Sequence, residues 1–194
     1  MMIVITLPDI STEDRLLTQA RAGDQIAIME IYESYFSPVY QYLRMRVESR
    51  QEAEDIAGDV FLKFIEAVKG RNAPRHSLRG WLFKVARTEL SKHYGKSKQF
   101  TTTTLDEWLP ASGNTEPEVM FLRTLHTERA RHALRMLAEE QQEVLILRFG
   151  QALSLQETAD IMGKSVSAVK SLQFRAVNTL RKILGEMQEG LADG

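Results

Sequence analysis

SLQETADIMGKSVSAVKSLQFRAVNTLRKIL, Ser154 to Leu184, decides how this chain is read. Ser154 and Glu157 have the spacing of a capping box, in which each side chain satisfies a backbone N–H that a helix start leaves unpaired. Leu155, Thr158, Ala159 and Met162 recur at helical spacing. Gly163 suits the left-handed residue that ends a helix, and Ser165 suits the cap of the next one. From Val166 a second apolar stripe runs through Val169, Leu172, Ala176, Val177, Leu180, Ile183 and Leu184. Lys164, Lys170, Arg175, Arg181 and Lys182 accompany it, with no Asp or Glu between Lys164 and Lys182. A short capped helix, a tight turn and a longer basic helix form the layout that sets a recognition helix in the DNA major groove. The bland alternative is a helical hairpin with a solvated basic face.

Outward from that stretch, the chain is 194 residues long with a formal net charge of −1, so no global basic field draws it to nucleic acid. The distribution of charge is uneven. Arg71, Arg75, Arg79, Lys84, Arg87, Lys92, Lys96 and Lys98 lie together, opposed only by Glu89. Asp106, Glu107, Glu116 and Glu118 follow without a base among them. Two basic patches around an acidic stretch suit two DNA contacts and a linker with another task. The chain has no cysteine, which excludes disulfides and thiolate metal sites and fits a reducing cytoplasm. No run is long enough for a membrane span, and Met1 to Leu7 is too short for a signal-peptide core.

Amphipathic periodicity dominates and predicts an all-α protein of two small helical domains. Ser11 is expected to cap a helix from Thr12 to Ala22, Asp24 the next, and Ser37-Pro38 to restart the chain. Ser49 and Glu52 form a capping-box pair before a helix from about Arg50 to Lys69, whose stripe runs from Ala53 through Ile56, Val60, Phe61 and Phe64 to Val68. Ser77 caps a helix to about Lys96, apolar at Leu78, Trp81, Leu82, Val85, Ala86 and Leu90. The period then fails from Gln99 to Thr115, a stretch read as a linker. Helices from Glu118 to Met136 and from Glu139 to Phe149 precede the opening pair. The domains are therefore set at 11–98 and 116–186, joined by a flexible acidic linker at 99–115.

Catalytic signals are weak. Gly163-Lys164-Ser165 ends like a phosphate-binding loop, but Thr158 stands where that loop needs glycine. His76, His93, His126 and His132 lack metal-ligand spacing, and no serine sits in a nucleophile elbow. Neither catalytic residues, nor a metal, nor a cofactor is expected. The segment from Arg71 to Lys98 mixes bases with Trp81, Phe83, His93 and Tyr94, a combination that suits single-stranded nucleic acid, with Trp81 better placed in the core. Lys84, Arg87 and Lys92 are candidate phosphate contacts, and the loop from Arg71 to Ser77 is where a flipped base could be enclosed.

These blocks resemble those of bacterial sigma factors. Ala53-Glu54-Asp55-Ile56-Ala57-Gly58-Asp59-Val60-Phe61-Leu62-Lys63 is similar to their region 2.2. Leu78 to Arg87 is similar to regions 2.3 and 2.4, Glu139 to Phe149 to region 4.1, and Ser154 to Leu184 to region 4.2. The order, the short length and the bare linker resemble the extracytoplasmic-function subgroup of the sigma-70 family. Ala138 departs from the pattern, standing where the family has proline. The resemblance implies a cytoplasmic, non-enzymatic initiation factor that gives RNA polymerase its promoter specificity and opens the DNA. It implies docking on the β′ clamp helices through Asp55, Asp59 and Leu62, further contact with the β subunit, and a grip on the minus-ten element. In that grip Asn72, Arg75 and His76 lie near the captured base, and Arg79, Lys84, Arg87 and Lys92 lie along the basic helix. It implies reading of the minus-thirty-five element by Lys170, Ser171, Phe174 and Arg175, with Ser167 on the same face, and a dedicated anti-sigma factor as a further partner. Rival readings are a stand-alone helix–turn–helix regulator and a helical adaptor or inhibitor that binds no DNA.

Overall fold

The computed structural model describes residues 7–96 and 132–192, and among the described residues the regular structure is entirely helical. The linker expected at 99–115, and most of the helix expected from Glu118, lie outside these residues.

Four helices form the first layer: α1 (Ile10–Arg21), α2 (Gln25–Arg44), α3 (Arg50–Lys69) and α4 (Leu78–Lys96). Their caps explain most boundaries. Asp24 accepts from the N–H groups of Ile26 and Ala27, and Ser49 accepts from that of Glu52. At α1 the cap is Asp9 rather than Ser11, and the helix starts earlier than expected. Asp9 takes the Thr12 N–H at 3.0 Å as well as the Ser11 and Thr12 hydroxyls, so a carboxylate collects three donors where a serine would collect one. These bonds, led by that of Ser11, hold the Asp9 carboxyl well below its usual range.

Pro38 does not restart the chain; α2 runs straight through it. An interior proline costs about 3 kcal/mol. Tyr35, Val39 and Tyr42 around it are fully buried, and burying each such side chain returns roughly 1.5–3 kcal/mol. Packing therefore outweighs the local break. At α4, Ser77 stands at φ 49° and its Oγ accepts from the Gly80 N–H at 3.1 Å. A Cβ at position 80 would come within 2.7 Å of that Oγ, so the cap needs glycine there.

The second layer consists of α5 (Glu139–Leu145), α6 (Leu155–Met162) and α7 (Val166–Ala192). The helix expected to continue to Phe149 changes hand-hold at Ile146, where a π-helical turn spans Ile146–Gly150. Such one-turn widenings gather at functional positions. Ala138 caps α5 with no side-chain bond. Ser154 and Glu157 form both bonds of the capping box, at 3.1 and 2.7 Å, and Gly163 takes the left-handed conformation at φ 66°. Ser165 accepts from the Ala168 N–H at 3.2 Å.

The two layers share one hydrophobic core. Leu16, Ile31, Val60, Phe64 and Leu82 on one side, and Val144, Leu147, Ala159, Val169 and Leu172 on the other, belong to a single contiguous buried cluster. Contact runs between α4 and α6 and between α2 and the π turn. Gly150 sits so near that a Cβ there would lie 3.2 Å from Met45 Cε. The sequence suggests two independent units; the structure lays one against the other.

Candidate nucleic-acid interface

The face of α7 is built by subtraction. Val169, Leu172 and Ala176 are buried against α5 and α6. That places Ser167, Lys170, Ser171, Phe174 and Arg175 on the opposite side, and all five are exposed. Phe174 shows 69% of its surface to solvent. Phe174 and Lys170, with Gln173, Val177 and Arg181, line a shallow open groove against Leu155 of α6. An exposed array of hydroxyl, cationic and aromatic groups on a helix is what major-groove reading uses.

Arg148 braces this helix, and sequence reasoning passed it over. Its Nε donates to Gln173 Oε1 at 3.0 Å, and its Nη1 donates to the Leu153 carbonyl. The π turn aims it there. A widened turn leaves no signature in hydrophobic period, so the only available signal was an arginine inside an apolar run.

The expected minus-ten residues fall into two groups. Asn72, Arg75 and His76 are exposed on the loop before α4, next to Arg71 at φ 59°. Lys84 and Lys92 are exposed on α4, and Lys92 meets Glu89 at 2.9 Å. Arg79 and Arg87 are different. Arg79 Nε donates to Glu13 at 2.5 Å, its Nη2 donates to the Pro8 carbonyl, and Nη1 lies 3.7 Å from Glu157. Glu13 is itself buried and also accepts the Tyr35 hydroxyl at 2.7 Å. Burial disfavours the Arg79 charge, but Glu13 more than offsets it and the guanidinium is held charged more firmly than usual. Arg79 thus ties α1, α2 and α4 together, and in this arrangement it is not a free phosphate contact. The physical reason is a buried carboxylate three helices away in sequence.

Arg87 reaches across to the second layer. Its Nε donates to both oxygens of Glu143, at 2.9 and 3.1 Å. The same carboxylate accepts the Tyr42 hydroxyl at 2.9 Å and lies 3.6 Å from Arg46, which also donates to Glu139 at 3.1 Å. The side chains of Arg46 and Glu143 are each 2% exposed. Burial pushes the Tyr42 phenol up, and Glu143 pushes it further. Burial opposes the Arg87 charge, but Glu143 prevails and raises its pKa. Tyr42, Arg46 and Glu143 were not singled out from the sequence, where their partners lie far along the chain.

Of the aromatics on α4, Phe83 is fully buried, packed edge-on to Tyr42, and cannot stack on a base. Trp81 is half-buried against Phe64 with ring centroids 5.9 Å apart. His93 is half-buried beside Glu52, and the exposed Tyr94 donates to the Arg46 carbonyl. On α3, Asp55, Asp59 and Leu62 are all exposed at helical spacing, opposite Ile56, Val60 and Phe64. Leu62 shows 59% of its surface.

Comparison with known proteins agrees with both layers. A family model described as Sigma-70 region 2 matches residues 31–100, and one described as Sigma-70, region 4 matches residues 133–182. The chain is 35% identical over 170 residues to ECF RNA polymerase sigma factor BldN of Streptomyces coelicolor, covering 87% of this chain and 64% of that relative. It is 32% identical over 165 residues to RNA polymerase sigma factor YlaC of Bacillus subtilis, covering 84% of this chain and 95% of the relative.

This chain belongs to the extracytoplasmic-function sigma factors of the sigma-70 family.

ECF sigma factor SigD of Mycobacterium tuberculosis is 32% identical over 181 residues, covering 87% of this chain and 82% of that one. Two solved structures share the fold. CnrH, in complex with the cytosolic domain of CnrY, has a TM-score of 0.68 at 21% identity over 90% of this chain and 98% of that one. RpoE of Bartonella quintana, in complex with the anti-sigma factor NepR, has a TM-score of 0.65 at 20% identity over 81% and 96%. In sigma-factor terms, α3 and α4 lie within the stretch that the region 2 model matches, and α6 and α7 form the helix–turn–helix of region 4. Among the described residues, no helix is long and apolar enough to cross a membrane, and no group of His, Cys, Asp or Glu forms a metal cage.

Proposed function

We propose that this sigma factor binds core RNA polymerase in the cytoplasm and directs it to promoters, reading the minus-thirty-five element as duplex and holding the melted minus-ten strand. The observation that carries the reading is the face of α7, where five polar, cationic and aromatic residues stand exposed on a helix capped by Ser165 and set against the capped α6 through the left-handed Gly163. Lys170, Ser171, Phe174 and Arg175, with Ser167, read the upstream element. Asn72, Arg75 and His76 enclose a base of the melted strand, while Lys84 and Lys92 follow its phosphates. Asp55, Asp59 and Leu62 dock on the β′ clamp helices, and α5 to α7 meet the β subunit. The protein catalyses no reaction of its own; the polymerase does the chemistry. An anti-sigma factor is a further partner, a reading supported by the fold's appearance in the complex of RpoE with the anti-sigma factor NepR.

The test is run-off transcription with purified core polymerase on genomic fragments. Initiation at defined sites, dependent on this chain, is expected. Tight sequence-specific binding by the isolated chain, with no effect on polymerase, would instead favour a stand-alone regulator.

A further inference from the structure

The contact between the two layers is chemically lopsided. The first layer supplies donors: the Tyr42 hydroxyl, the Arg46 guanidinium and the Arg87 Nε. The second supplies acceptors: Glu143 at the centre and Glu139 beside it. At its edge, Glu157 of α6 approaches Arg79. Cations otherwise suited to DNA are thus matched by acids of the same chain.

Glu143 makes the contact informative. Its two oxygens sit among three donor groups, at 2.9 Å from the phenol and 2.9 and 3.1 Å from Arg87. A phosphodiester also carries one negative charge shared between two free oxygens, and arginine forks bind either anion by the same paired geometry. If the second layer moved away, the buried Arg46 guanidinium and Tyr42 phenol would be uncovered beside the already part-exposed Arg87, with that anion missing. Arg87 lies one helical turn from Lys84, so the vacated position continues the basic stripe of α4.

We propose that Tyr42, Arg46 and Arg87 form a phosphate-binding site for the promoter strand, and that Glu143 occupies it in the closed chain as an intramolecular stand-in for a DNA phosphate. Closure and strand binding are then mutually exclusive, because both need the same donors. This deepens the function proposed above by adding Tyr42 and Arg46 to the strand-binding surface and Glu143 as its competitor.

The chain has no cysteine, so two introduced thiols label it uniquely. Glu66→Cys and Asp160→Cys, both at exposed positions on opposite layers, carry a donor and an acceptor dye for energy transfer. The probe is a single-stranded DNA of mixed sequence, titrated against the full chain. Glu143→Gln keeps the shape and removes the charge. It should lower energy transfer and tighten DNA binding by about tenfold, a change of about 1.4 kcal/mol. Adding Arg46→Gln to that variant should keep the chain open and abolish the gain.

Unchanged energy transfer in Glu143→Gln would overturn the stand-in role. An open chain with no gain in DNA binding, or a gain that survives Arg46→Gln, would overturn the phosphate site. A gain for core polymerase alone would mean that the donors take an acidic protein surface instead, and would overturn it equally. Should Glu143→Gln fail to fold, Glu139→Gln with Glu157→Gln opens the contact from its rim and is read against the same outcomes. Failure of the unmodified chain to start transcription would sink the proposed function while leaving these titrations interpretable.

Discussion

Helices α4 and α7 carry similar numbers of cations and use them in opposite ways. On α7, Lys170 and Arg175 face solvent and bond to no carboxylate among the described residues. On α4, Arg79 and Arg87 are committed to Glu13 and Glu143 and Lys92 meets Glu89, while Lys84 meets no carboxylate among the described side chains. The lesson is that basic charge on a helix does not by itself mark a binding face. A cation opposite a buried carboxylate is part of the fold until something moves the carboxylate.

The sharpest way to break this contrast is at Glu13. Replacing it by Gln leaves the buried Tyr35 and the part-buried Arg79 without their anion, and removing one partner of a buried pair costs about 3–5 kcal/mol. Urea unfolding should show that loss. A loss below about 1 kcal/mol, the range of an exposed pair, would return Arg79 to the free cations.

Next in size, Arg175→Ala should weaken binding to the upstream element by about 1–3 kcal/mol and relax choice at one base pair. The measurement is polymerase holoenzyme binding to single-substitution promoter duplexes. A uniform loss across sequences would assign Arg175 to phosphate.

The scaffold of α7 offers a third test. Ser154→Ala removes one half of the capping box and should lower stability by about 1 kcal/mol without altering base preference. A changed preference would mean that the α6 start also sets the angle of the recognition helix.

The smallest effect is expected at Lys84. Lys84→Ala should reduce affinity equally for all sequences and lower the slope of log K against log salt by about one. An unchanged slope would remove Lys84 from the interface and sharpen the contrast with α7.

Much of this was legible in the residues. Ser49, Ser77, Ser154 and Gly163 mark helix ends by local chemistry, because a hydroxyl or a missing Cβ acts within four residues of itself. The helix over Arg50–Lys69 and the exposed face of α7 follow from period alone. Pro38 misled because a local penalty was read without the burial that outweighs it. Phe83 misled because an aromatic ring among bases looks the same in sequence whether it faces solvent or Tyr42.

By itself, the sequence determined most of the helices and caps, the exposed face of α7 and the family, all of which depend on neighbours a few positions away or on the order of blocks along the chain. The tertiary structure alone decided which cations are free. Arg79 meets Glu13 across 66 positions and Arg87 meets Glu143 across 56. Electrostatic pairing depends on distance in space, and no local pattern records which acid will arrive opposite a given base.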